Sequence, residues 1–132
     1  MQILHEMTIH RNRMKKLLYL TTFVLVLCGC GQKHKAKALI GSFVEENTTM
    51  GDMRRSYDKV DSTFKLTDSI IVNMQQQAAN LPHFKKNIAF GEHIKGEPLL
   101  YSRVRFTNEH DTLHFTFYMN RSLSQVIACK EN

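Results

Sequence analysis

Residues 112–119 alternate without a break. Leu113, Phe115, Phe117 and Met119 are apolar, and Thr112, His114, Thr116 and Tyr118 between them carry polar groups. Successive side chains of an extended chain point to opposite faces, so this stretch reads as a strand with one face buried. At the helical period of 3.6 the same apolar positions would scatter around the axis. Upstream, Leu100, Val104 and Phe106 share one face of a strand near 99–107, and Asn108-Glu109-His110-Asp111 forms a polar turn. Asn120-Arg121-Ser122 makes a second turn, and Leu123 to Cys129 a last strand. The pattern predicts a three-stranded antiparallel meander.

An apolar sheet face needs cover, and two segments can supply it. From Lys35 to Asn47, Ala36, Leu39, Ile40, Phe43 and Val44 fall on one helical face, with Asn47-Thr48-Thr49 ending the helix. Thr67 or Asp68 can cap a second helix that carries Ile70, Ile71, Met74 and Ala78 and stops before Pro82. Residues 50–66 satisfy two periods. Met50, Met53, Tyr57, Val60 and Phe64 step by three and four, whereas Val60, Ser62, Phe64 and Leu66 alternate with Asp61, Thr63 and Lys65. The β-branched content favours a fourth strand over about 57–66. The expected fold is α+β, with two helices packed on one face of a small antiparallel sheet.

The N-terminal region belongs to a different problem. Arg11, Arg13, Lys15 and Lys16 precede an apolar run of 11 residues, Leu17 to Leu27, which ends at Cys28-Gly29-Cys30-Gly31. A membrane-spanning helix needs about 20 apolar residues, so the run is too short to cross a bilayer. A basic cluster, a short apolar core and small residues have the layout of a secretory signal peptide over 1–29. Leu27-Cys28-Gly29-Cys30 resembles the lipobox of bacterial lipoproteins. The resemblance implies cleavage before Cys30 and diacylglycerol on its sulfur, so that lipid on Cys30 attaches the protein to a membrane. Bulky Val26 and Leu27 exclude Cys28 from that role. The resemblance also implies Met14 as the working start, with residues 1–13 an upstream extension. Residues 30–36 are then a lipidated tether, 31–36 a short linker, and 37–132 one globular domain.

Processing changes the charge. The chain carries +6, and removal of Glu6 with the four basic residues leaves 14 basic and 11 acidic side chains, net +3, over 103 residues. Lys33, Lys35 and Lys37 sit beside the anchor, where with His34 they suit anionic headgroups or simply a solvated leader. Residues 38–132 hold 11 basic and 11 acidic side chains, which does not support nucleic-acid binding. With Cys28 removed and Cys30 acylated, Cys129 has no intramolecular partner and reads as a small buried hydrophobe, with intermolecular pairing the lesser reading.

The segments Lys59-Val60-Asp61-Ser62-Thr63-Phe64-Lys65-Leu66-Thr67-Asp68-Ser69, Leu100 to Thr107 and Thr116-Phe117-Tyr118-Met119 resemble small Bacteroidota-type lipoproteins. The similarity runs over most of the mature chain and brings location without activity. It implies a cell-envelope protein on the outer membrane. Surface-export signals of that group place acidic residues just after the acylated cysteine, whereas this chain has Gly31-Gln32-Lys33-His34-Lys35, so the resemblance implies the periplasmic side. Bacteroidota glycosylate exported proteins at Asp-Ser/Thr followed by a small or aliphatic residue. By that resemblance Ser62, Ser69 and Thr112 are O-glycosylation sites, although Asp-Ser/Thr also makes ordinary caps and turns.

No residue pattern announces catalysis. There is no Gly-x-Ser-x-Gly elbow, Cys-x-x-Cys pair or phosphate loop, and no cofactor is implied. His110 and His114, with Glu109 and Asp111, have metal-like chemistry, but positions four apart in a strand lie about 13 Å apart. His83 and His93 flank a loop containing Gly91 and Gly96 and could meet other groups only through tertiary packing. No metal site is expected. Glu45-Glu46 is the one acidic pair, on the solvent side of the first helix. The favoured expectation is a non-enzymatic, membrane-anchored envelope module that binds a protein or a glycan. Its contact surface would be a strand edge or the outer sheet face carrying Tyr101, Arg103, Arg105, His114 and Tyr118, because aromatic and arginine side chains give large contact area. The alternative is a small periplasmic hydrolase whose histidines and carboxylates meet only in the fold.

Overall fold

The structure is a computed structural model that describes residues 31–132; the segment expected to be a signal peptide, with Cys28, and the expected lipid site Cys30 lie outside the described residues. The alternating stretch is strand β4, Thr112–Met119, and it sits inside the sheet between β3, Leu99–Thr107, and β5, Val126–Glu131. Two short strands, β1 (Arg54–Tyr57) and β2 (Asp61–Thr63), both pair with the other side of β3. All pairings are antiparallel, so the described residues form an open five-stranded antiparallel sheet with the expected C-terminal meander.

The fourth strand expected at 57–66 is therefore two strands. Tyr57 faces Val104 and Asp61 faces Tyr101, so three residues, 58–60, oppose two, 102–103. That extra residue makes a bulge, which re-aims the chain. Asp58 holds it: its N–H donates to the Arg103 carbonyl (2.9 Å), and its own carbonyl accepts from the buried Ser102 hydroxyl (2.9 Å). The last strand starts three residues later than expected. Asn120 Oδ1 accepts from the N–H groups of Ser124 and Gln125, and Leu123 takes a left-handed φ of 55°. This closes a longer turn and delays the ladder to Val126.

Helix α1 covers residues 31–47 of the described chain. It ends where Thr48 donates from both its N–H and its Oγ1 to the Val44 carbonyl (3.0 and 2.7 Å). The helix thus includes the linker expected at 31–36, and Ala36 is already buried. Helix α2 is Asp68–Ala78, with Thr67 as N-cap accepting from the Ile70 N–H. Its buried residues are Ile71, Met74 and Ala78, whereas Ile70 points outward.

The helices divide between the two faces instead of sharing one. Ile40, Phe43 and Val44 of α1 pack with Val104, Phe106, Phe115, Phe117 and Met119. Ile71 and Met74 of α2 pack with Leu99, Tyr118, Ile127 and Ala128. Phe117 and Tyr118 are consecutive in one strand and so point oppositely. Only the last turn of α2, through Ala78, reaches the first cluster. The connection 79–98 completes the cover: Phe84 stacks near Phe115 (5.5 Å), Phe90 near Phe43 (5.6 Å), and Gly91 donates to the Val126 carbonyl. Gly91 is needed there, since a Cβ would come within 2.7 Å of the Gln125 Cβ.

Cys129 has no exposed surface and lies in the first cluster, which suits the buried-hydrophobe reading. Burial pushes its thiol up from 9.0 to about 12. An unfolded thiol ionises near the lower value while the folded one keeps its proton to the higher, so the native state binds more protons between them. Stability therefore falls as pH rises through that window. Thermal melts of wild type are expected to fall more steeply above pH 9 than those of Cys129→Ala. Parallel slopes would contradict the assignment.

Candidate functional site

Helix α2 covers only one end of its sheet face, and the rest of that face is open. The strand register arranges the open side chains in rows. Tyr101 faces Tyr118, which faces Ala128; Arg103 faces Thr116, which faces Lys130. Beyond them Arg105 faces His114, whose carbonyl accepts from the Asn132 N–H at 2.8 Å. Neighbours within a row are about 4.8 Å apart and the rows about 6.7 Å apart.

The middle row makes the depression. Thr116 is short and buried, and it is flanked by two long exposed cations, Arg103 and Lys130. Its hydroxyl donates to Asn132 Oδ1 at 3.0 Å, which fixes the floor. The chain leaving β2 adds Thr63, Lys65 and Leu66 as a wall, and the whole is an open trough of about 680 Å³. At one end the Tyr101 and Tyr118 rings lie 5.9 Å apart, tilted by 43°. Burial raises the Tyr118 phenol above its ordinary 10.0, Tyr101 raises it further and Arg103 opposes them. Tyr118 thus presents a neutral hydroxyl. Among the described residues no side-chain carboxylate lines the trough, and none of Lys65, Arg103, Arg105 or Lys130 has an ionic partner. The ion pair of the described residues lies elsewhere, Arg55 with Glu45 at 3.9 Å, as does the contact of His93 with Asp68 at 3.4 Å.

Four of the five residues expected on a binding face, Tyr101, Arg103, His114 and Tyr118, line this trough. Arg105 lines an adjoining concavity of about 330 Å³ with His114, Arg103 and Asp58. Thr63, Lys65, Leu66, Thr116, Lys130 and Asn132 are additions. Thr116 was legible, since it alternates with His114 and Tyr118; Lys130 was hidden by a strand end placed at Cys129.

The remaining candidates are apart from it. His93 joins the start of α2 to its own loop through Asp68 and the Glu97 carbonyl (3.0 Å). His83 and His93 do not line the trough, and His110 is exposed in the β3–β4 turn. Among the described residues no three His, Cys, Asp or Glu side chains are grouped to hold a metal. Asp58 is near His114, yet its carboxylate accepts from the Lys59 N–H at 2.8 Å, a local turn contact. Ser62, Ser69 and Thr112 are exposed, on β2, on the first turn of α2 and at the start of β4. Lys33, Lys35 and Lys37 are all exposed, and Lys37 places its Nζ 5.5 Å from the centre of the Tyr57 ring.

What this arrangement can do chemically is bind: cations and hydroxyls converge on an open, shallow surface. No family model, curated protein or solved structure matches the chain. Among the described residues no helix is long and apolar enough to cross a membrane.

Proposed function

We propose that the chain is a non-enzymatic binding module of the cell envelope, held to the outer membrane by lipid on Cys30, on the periplasmic side, and engaging its ligand through the trough. The observation that carries the binding role is the row Arg103–Thr116–Lys130, two cations without an ionic partner among the described residues, across a small polar floor beside a tyrosine pair. Pockets that bind are concave with a few convergent polar groups, and arginine and tyrosine are enriched where binding energy concentrates. The anchor rests on the lipobox resemblance. The chain is helical from residue 31 and buries Ala36, so few residues separate Cys30 from the folded domain. O-glycans on Ser62, Ser69 or Thr112 belong to the same proposal as surface modifications.

Affinity capture from native membranes tests it. Wild type is expected to retain a partner that Arg103→Ala and Lys130→Ala lose. Both residues are exposed, so the variants should melt as wild type does. Unchanged capture by both variants would remove the trough from the function.

A further inference from the structure

We infer that the trough takes an acidic saccharide, a carbohydrate bearing carboxylate or phosphate groups; this deepens the proposed function and rests on the trough being the binding face. The first ground is charge. Residues 38–132 are balanced, 11 basic against 11 acidic. Yet Lys65, Arg103 and Lys130 meet around Thr116 with no side-chain carboxylate of the described residues in the lining. Arg103 and Lys130 are two strand spacings apart, about 9.6 Å, close enough to act on one charged group held between them. Arg105 forms a second position one row on, about 6.7 Å away, in the adjoining concavity that His114 and Asp58 also line. A ligand with anionic groups on successive units would meet both.

The second ground is the character of the other groups. Thr63, Tyr101 and Tyr118 bring hydroxyls, the Thr116 hydroxyl and the Asn132 amide oxygen are bonded to each other on the floor, and Leu66 is the one aliphatic side chain of the lining among the described residues. That is a surface for a hydroxyl-rich ligand, with the half-buried Tyr101 adding an aromatic side chain for the apolar face of a sugar ring.

Two other occupants fit less well. An extended peptide gains its affinity by adding a strand at a sheet edge, where backbone groups are free. On this face the backbone of β4 is paired on both sides, so a peptide laid across it would find few partners for its own N–H and C=O groups. A second copy related by a two-fold axis would set the same patch against itself, bringing Arg103, Lys130 and Lys65 against like charges.

Calorimetric titration of the full chain, as processed by its host, with oligogalacturonate at low salt is the test. Three probes separate the contributions: the oligosaccharide, the same oligosaccharide methyl-esterified, and polyglutamate of matching charge. Oligogalacturonate is expected to bind, to weaken as salt is added, and to weaken about tenfold or more in Arg103→Ala and in Lys130→Ala. The ester and polyglutamate are expected to bind at least about tenfold more weakly than oligogalacturonate. No binding of oligogalacturonate, equal binding of its ester, or equal binding of polyglutamate each overturns the inference. Membrane capture by the same variants keeps the two proposals distinct. Partner loss without oligogalacturonate binding sinks the saccharide alone, and unaltered capture sinks the trough itself.

Discussion

Phe117→Ala is expected to lower the free energy of unfolding by about 3–5 kcal/mol, the usual cost of deleting a buried aromatic ring. Phe117 has no exposed surface, lies in the central strand β4 and faces Cys129 across to β5. Its ring meets Phe43 of α1 edge-on at 5.9 Å, with Phe106 and Phe115 each at 6.2 Å. The helix and the sheet are thus joined at this side chain. Rings cannot fold into a void as Met or Leu can, so the cavity should stay open and the cost lie near the top of the range. Domains of this size are stable by about 5–15 kcal/mol, so the variant should unfold far more readily in urea and express poorly. Phe64→Ala is the matched control, because Phe64 is 75% exposed and its loss should change stability by less than about 0.5 kcal/mol. Equal midpoints for the two variants would mean that the core has been placed wrongly.

That control also marks how far the sequence could be read. Strands β3 and β4 were legible residue by residue, because strict alternation has one structural meaning. Phe64 misled for the opposite reason: it fits both a helical and a strand period between 50 and 66, yet faces solvent. The break at 58–60 depends on Asp58 meeting Ser102, 44 residues away, and no local pattern records such a contact. The division of the helices between two faces did leave a signal. Leu99-Leu100 and Val126-Ile127-Ala128-Cys129 are consecutive apolar runs, and a strand apolar on both faces must be covered on both. The binding face was legible where it depended on residue chemistry and alternation, as with Tyr101, Arg103, His114 and Tyr118. It was illegible where it depended on where a strand stops, as with Lys65 and Lys130.

Cys30→Ala is expected to abolish lipid attachment, with a loss rather than a shift as the readout. The apolar run of 11 residues is too short to span a bilayer, and no helix among the described residues can do so. In the proposed function it is the lipid on Cys30 that holds the chain to the membrane. One acyl chain holds a protein only marginally, and two make a stable anchor, which is what a diacylglycerol thioether supplies. Wild type should incorporate labelled palmitate, run at the mass of residues 30–132 plus lipid, and stay in the membrane fraction through a high-salt wash. A salt-resistant anchor also separates the lipid from the basic residues Lys33 and Lys35, whose attraction to headgroups would be screened. Cys30→Ala should take up no palmitate and retain the mass of its signal segment, since cleavage follows lipid transfer to the sulfur. Cys28→Ala should be processed as wild type, because alanine is as acceptable as cysteine at a position that needs only a small side chain. Palmitate on the Cys30→Ala variant, or its loss from Cys28→Ala alone, would place the acylated sulfur elsewhere. It could not be Cys129, which the fold buries among Phe117 and its neighbours.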